Sequence, residues 1–160
     1  MKGKPEVLKV LQEMLEEELG AINQYFLHSE MCENWGYERL SKLVKKLSIV
    51  EMKHAEDLIE RLLFLEGSPN LSTLPKLSIG KDVKQQLEND LALEHGAVTG
   101  YNAAIATCHK ASDNGTADFL KRILRQEEDH VDFFEEQLGL IEQLGVHNYL
   151  AQQLEEEAGK

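Results

Sequence analysis

The residues best placed to do chemistry in this chain are four glutamates and two histidines: Glu18, Glu51, His54, Glu94, Glu127 and His130. Four of them form Glu-x-x-His pairs, Glu51-Met-Lys-His54 and Glu127-Glu-Asp-His130. On a helix, residues three apart share a side, so the carboxylate and the imidazole of each pair reach one place. Each acid interrupts an apolar run at steps of three and four, such as Leu8, Leu11, Leu15, Glu18, Ile22, Tyr25. The other runs are Leu40, Val44, Leu47, Glu51, His54, Leu58; Leu87, Leu91, Glu94, Val98, Tyr101; and Leu120, Ile123, Glu127, His130, Phe134. That spacing marks buried helix faces. A buried carboxylate without a partner costs on the order of several kcal/mol, and four together also repel one another. No Lys or Arg interrupts the runs beside the acids. Two divalent cations would balance the four charges, with one Glu and one His ending on each ion and two Glu left to bridge. Oxygen-rich ligation with one imidazole per ion suits iron or manganese better than copper, and zinc can bind in their place.

The bland reading of each residue differs. A lone Glu-x-x-His is common on exposed helix faces, and a lone Glu in an apolar run usually sits at a solvated edge. Six such residues in register with the buried stripes argue against that reading, because buried unpaired acids are rare. Tyr25 and Tyr101 follow Glu18 and Glu94 by two turns on the same face. Buried hydroxyls need partners, and these carboxylates are candidates; a bond elsewhere stays open for each. Met52 points away from the stripe by a quarter turn or more, outside the bundle. From its position alone it reads as packing at a subunit contact rather than a haem ligand. His28, His95, His109 and His147 fall off the stripes and read as surface residues.

Four long helices must carry these residues: 5–35, 38–66, 82–111 and 115–144. Short breaks at Asn34-Trp35-Gly36 and Ser112-Asp113-Asn114-Gly115 suit antiparallel hairpins. Between the second and third helices, Gly67-Ser68-Pro69-Asn70, Pro75 and Gly80 forbid helix. That segment is long enough to run the length of a bundle, the crossover topology. Gly145 ends the fourth helix, and a short fifth is expected over 146–155. The expected fold is all-α, one four-helix domain over 1–160. The chain also repeats at an offset of 76 residues: Glu18-Leu-Gly-Ala-Ile-Asn-Gln-Tyr25 against Glu94-His-Gly-Ala-Val-Thr-Gly-Tyr101, Cys32 against Cys108, and Glu51…His54 against Glu127…His130. Met52 departs from the repeat, its counterpart being Glu128. The two hairpins thus read as copies of one unit about a pseudo-twofold axis.

Composition excludes several classes. With 29 acidic against 17 basic residues, the net charge of −12 repels nucleic acid and anionic membranes and attracts cations. Met1-Lys-Gly-Lys-Pro5 has no apolar run behind it, so neither a signal peptide nor a membrane span is expected, and a cytoplasmic protein is. Cys32 and Cys108 read as reduced core thiols.

The sequence resembles bacterioferritin over nearly its whole length. The resemblance is carried by Met1-Lys-Gly3, Asn23-Gln-Tyr-Phe-Leu-His28, Glu51-Met-Lys-His-Ala55, Phe64-Leu-Glu-Gly67, Pro69-Asn-Leu71, Asp90-Leu-Ala-Leu-Glu94, Glu127-Glu-Asp-His130 and Asn148-Tyr-Leu150. The ligand pattern is the established one of ferritin-like di-iron bundles. The resemblance implies a ferritin-like fold and a hollow shell of 24 subunits. Inside it, iron(II) is oxidised by oxygen or peroxide at a di-iron ferroxidase site and stored as ferric mineral. It implies Glu18, Glu51, His54, Glu94, Glu127 and His130 as the six ligands, with Glu51 and Glu127 bridging. It also implies that Met52 and the same residue of a twofold-related subunit hold a b-type haem, against the reading from position alone. That haem would carry electrons in for iron release, from a small ferredoxin. The fifth helix would line fourfold pores. One departure is Lys46 and Val50, where some members carry a His and an Asp that bind iron on the inner surface. Three other classes compete. A di-iron oxygenase on an organic substrate is usually larger. A peroxide-reducing protein with a rubredoxin tail needs the Cys-x-x-Cys this chain lacks. A metal-free scaffold is opposed by the buried acids.

Overall fold

Four helices longer than 25 residues, each with one buried face, leave little choice but a bundle. The computed structural model describes residues 1–154. It has α1 (Pro5–Asn34), α2 (Glu38–Phe64), α3 (Val83–Lys110), α4 (Asn114–Leu144) and a short α5 (Val146–Ala151). These bounds fall within two residues of the sequence expectation, except for α5.

Local chemistry sets the ends. Pro5 opens α1, where its fixed φ suits a first turn and its missing N–H costs nothing. Asp82 caps α3 by accepting from the Gln85 amide, and Asp113 caps α4 by accepting from Thr116. α1 closes with Tyr37 N–H bonded back to Cys32 O at 2.9 Å over Gly36, whose φ is +87°. α3 closes identically, with Asp113 N–H on Cys108 O at 2.8 Å over Ser112, φ +58°. The repeat in the sequence therefore extends to the caps. α5 is shorter than expected because the Gln152 and Gln153 amides bond three residues back, to Tyr149 O and Leu150 O, which tightens the chain out of α-helix. The last expected residue of that helix, 155, lies outside the described residues.

Side-chain pairs fix the topology. Ser48 reaches the carbonyl of Ile22 and Ser41 reaches Glu33, so α1 and α2 are antiparallel. Tyr25 meets Glu94 and Tyr101 meets Glu18, so α1 and α3 are antiparallel too. α2 and α3 must then be parallel, and residues 65–82 return the chain along the bundle. This is the ferritin-like arrangement with its long crossover. The crossover is strapped down on α1 and α3: Ser78 N–H donates to Gln24 Oε1 at 3.0 Å, and Asn89 donates to Ser78 O at 3.1 Å. The Pro75 ring lies on Gly20, where a Cβ would stand 2.5 Å from Pro75 Cγ.

The apolar core divides into two clusters. One holds Leu11, Leu15, Leu58, Leu62, Ile105 and Leu120 among others. The second holds Tyr25, Leu40, Val44, Leu87, Phe134 and Ile141 among others. Along every helix the dividing point is the acid that breaks its stripe. Among the described residues, no helix is long and apolar enough to cross a membrane.

The strap explains one correction. His28, read from the sequence as a surface residue, is 1 % exposed. The crossover covers the face of α1 that a bare four-helix bundle would leave in water, so α1 has a second buried edge. His28 Nε2 accepts the Gly80 N–H at 3.0 Å, which puts the ring proton on Nδ1, facing Asp90 Oδ1 at 2.8 Å. His95, His109 and His147 are exposed, as read.

Candidate metal centre

The six residues converge in the layer between the two apolar clusters. Glu18, Glu51, His54 and Glu127 can each offer one ligand atom within 4.8 Å of the others, and so can Glu51, Glu94, Glu127 and His130. All six are at most 5 % exposed. His54 Nδ1 lies 2.8 Å from Glu51, 3.2 Å from Glu127 and 3.5 Å from Glu18. His130 Nδ1 lies 2.8 Å from Glu51, 3.1 Å from Glu127 and 3.3 Å from Glu94. Glu51 turns Oε2 toward His54 and Oε1 toward His130. Glu127 does the same with Oε1 and Oε2. These two carboxylates thus span the centre, while Glu18 and Glu94 each serve one end.

The electrostatics are those of a site built for cations. Burial pushes the Glu18 carboxyl up to about 8, helped by the charge of Glu51. Burial also raises Glu94. Burial alone would lower both imidazoles, but carboxylate contacts outweigh it, led by Glu127, raising His130 to about 12 and His54 as well. Five buried polar atoms here find no hydrogen-bond partner: Glu51 Oε1, Glu94 Oε2, both oxygens of Glu127, and His130 Nδ1. Buried oxygens left without partners are costly, and they fall within two four-residue groups, each close enough to hold one cation. The donor set of carboxylate oxygen with one imidazole per ion fits iron or manganese.

Both tyrosines find their hydroxyl acceptor at the centre. Tyr25 donates to Glu94, and Tyr101 donates to Glu18. Burial first, then the adjacent carboxylate, raises each phenol well above its ordinary value, so both stay protonated donors. The open alternative, a bond elsewhere, does not occur.

The sequence alone did not point to Gln126 or Asp90. Gln126 Oε1 takes the outer nitrogen of His54, Nε2. It is exposed and off the stripe, so periodicity gave no signal. Asp90, 1 % exposed, accepts from His28 and from Gln24 Nε2 at 2.8 Å. It lies three residues after Leu87 and one turn before Glu94, on the buried face of α3 against α1, so the spacing of that face was a signal for it. Met52 is 55 % exposed on α2, one turn past Ser48, which touches α1 at Ile22. Cys32 and Cys108 are buried free thiols.

Residues 8–144 match the family described as ferritin-like domain. Bacterioferritin of Mycolicibacterium paratuberculosis is 45 % identical over 152 residues, 95 % of this chain and 96 % of that protein. The chain belongs to the bacterioferritins. Bacterioferritin of Brucella melitensis shares 44 % identity, covering 93 % of this chain and 92 % of its own. A bacterial ferritin of Synechocystis is 43 % identical across 96 % of this chain and 99 % of its own. In this bacterioferritin, then, sequence kinship and a buried carboxylate–imidazole centre meet in one bundle.

Proposed function

We propose that this chain stores iron, with the whole of 1–160 acting as one ferritin-like unit in a hollow shell of 24 copies. Iron(II) is the substrate. At the centre two iron(II) ions each give up one electron, reducing dioxygen to hydrogen peroxide or hydrogen peroxide to two waters, and the iron(III) product is kept inside as ferric mineral. Glu18 with His54 and Glu94 with His130 are the end ligands, and Glu51 and Glu127 bridge. Tyr25 and Tyr101 hold the end carboxylates in place through their hydroxyls. The reading is carried by one observation: the orphaned carboxylate oxygens of Glu51, Glu94 and Glu127 in a buried layer. Reduced, buried Cys32 and Cys108 suit work in the cytoplasm.

Met52 is the proposed axial ligand of a b-type haem shared with a second copy. In support, its thioether stands exposed on the outer face of α2, beside the α1–α2 seam. The haem would supply an electron path for iron release, fed by a small ferredoxin. Lys46 is exposed and Val50 half-buried on the same helix. Neither donates to iron(II) at neutral pH, so oxidised iron leaves the centre for the cavity, and the ligands refill.

The direct test is Glu127→Ala or His130→Ala. Each should reduce rapid iron(II) oxidation, followed by stopped-flow absorbance, to the uncatalysed rate. The helices should stay intact by circular dichroism, because the lost group is a costly buried one. Wild-type oxidation rates in both variants would falsify the assignment.

A further inference from the structure

The two halves of the centre are alike in their ends, their bridges and their tyrosines, but not behind their imidazoles. His54 points Nδ1 inward and Nε2 at Gln126 Oε1. A neutral imidazole that offers a lone pair at Nδ1 must carry its proton on Nε2. An acceptor there fixes the tautomer, holds the ring and makes Nδ1 a better donor atom. Gln126 immediately precedes Glu127, and at the repeat offset its counterpart is Val50, which immediately precedes Glu51. Valine accepts nothing. Among the described residues, no protein group bonds His130 Nε2, and its side chain keeps 7 % exposure against 2 % for His54. Asp90 lies on the Glu94 side, but His28 and Gln24 engage its oxygens.

We propose that Gln126 is a positioning residue for His54, and that Val50 leaves His130 without a protein partner of that kind, so that the two ion positions bind unequally. The position formed by Glu18, Glu51, His54 and Glu127 fills first and holds its ion. The position formed by Glu51, Glu94, Glu127 and His130 fills second and empties first. The inference rests on the two-ion reading above and adds an order to it. The expected gap follows from the general cost of losing an outer partner to a metal-bound histidine, about 10–100-fold in affinity.

The test is titration of the assembled, metal-free, full-length protein with cobalt(II), which does not turn over, read by calorimetry and visible absorption. The wild type should take up two ions per chain in two steps separated by about tenfold or more. Gln126→Leu should weaken the tighter step by a similar factor and merge the two. Gln126→Glu, which keeps the acceptor, should preserve the gap. Val50→Gln should tighten the weaker step. Glu94→Ala should abolish the weaker step and leave the tighter one. Two equal steps in the wild type, or a tighter step unmoved by Gln126→Leu, overturn the inference while leaving the two-ion centre standing. Failure of the wild type to bind two ions per chain overturns the centre itself.

Discussion

Replacing Asp90 with alanine tests whether the crossover is fastened through the buried polar network beneath it. Asp90 accepts from His28 Nδ1 at Oδ2, 3.0 Å away, and from Gln24 Nε2 at Oδ1, 2.8 Å away. Those two side chains in turn hold the amides of Gly80 and Ser78. Asp90→Ala leaves two buried donors without an acceptor, each costing about 1–3 kcal/mol. Burial raises the Asp90 carboxyl above its usual range, against the opposing pull of His28, so removing it relieves some desolvation. The net loss should fall toward the lower half of that sum, about 3 kcal/mol. Because the damage is local, hydrogen exchange at the Ser78 and Gly80 amides is the sensitive assay. A local loss of about 3 kcal/mol corresponds to roughly 100-fold faster exchange there. Asp90→Asn, which retains one acceptor oxygen, should lose about half as much. If Asp90→Ala folds and the two amides exchange within about threefold of wild type, the network does not fasten the strap.

Two further outcomes follow from the residues around the centre. Met52→Leu should lose haem, measured as pyridine haemochrome per chain, while keeping shell size and oxidation rate; haem at full occupancy in that variant places the ligand elsewhere. Crystals soaked in iron(II) should show metal among the six ligands, with occupancy falling on long aerobic standing, and none beside Lys46 and Val50. Ordered iron on that face refutes the proposed route.

The helices and the six residues at the centre were legible because the same pattern encodes both. A stripe of apolar residues reports burial, and an acid in the stripe reports a charge that burial must compensate. The crossover was legible from Pro69, Pro75 and Gly80, but its path was not. Periodicity describes one helix at a time, whereas His28 is covered by a segment from elsewhere in the chain, its Nε2 accepting the Gly80 N–H. Gln126 escaped for a related reason. It lies off the stripe and acts only through the outer nitrogen of a residue on another helix. Met52 was correctly placed facing out, at 55 % exposure.

The division of the apolar core into two clusters bears on how the protein can handle cargo. In small metal-dependent domains the ion is part of the folding energy, and losing it unfolds the chain. Here Leu11, Leu58 and Leu120 clamp the helices on one side of the polar layer, and Leu40, Leu87 and Phe134 clamp them on the other. Register and spacing are set by hydrocarbon on either side of the six residues of the layer. On the proposed function, the layer between would fill and drain repeatedly while the clamps stay shut, and ions would pass through the middle of the subunit without the subunit being remade each time.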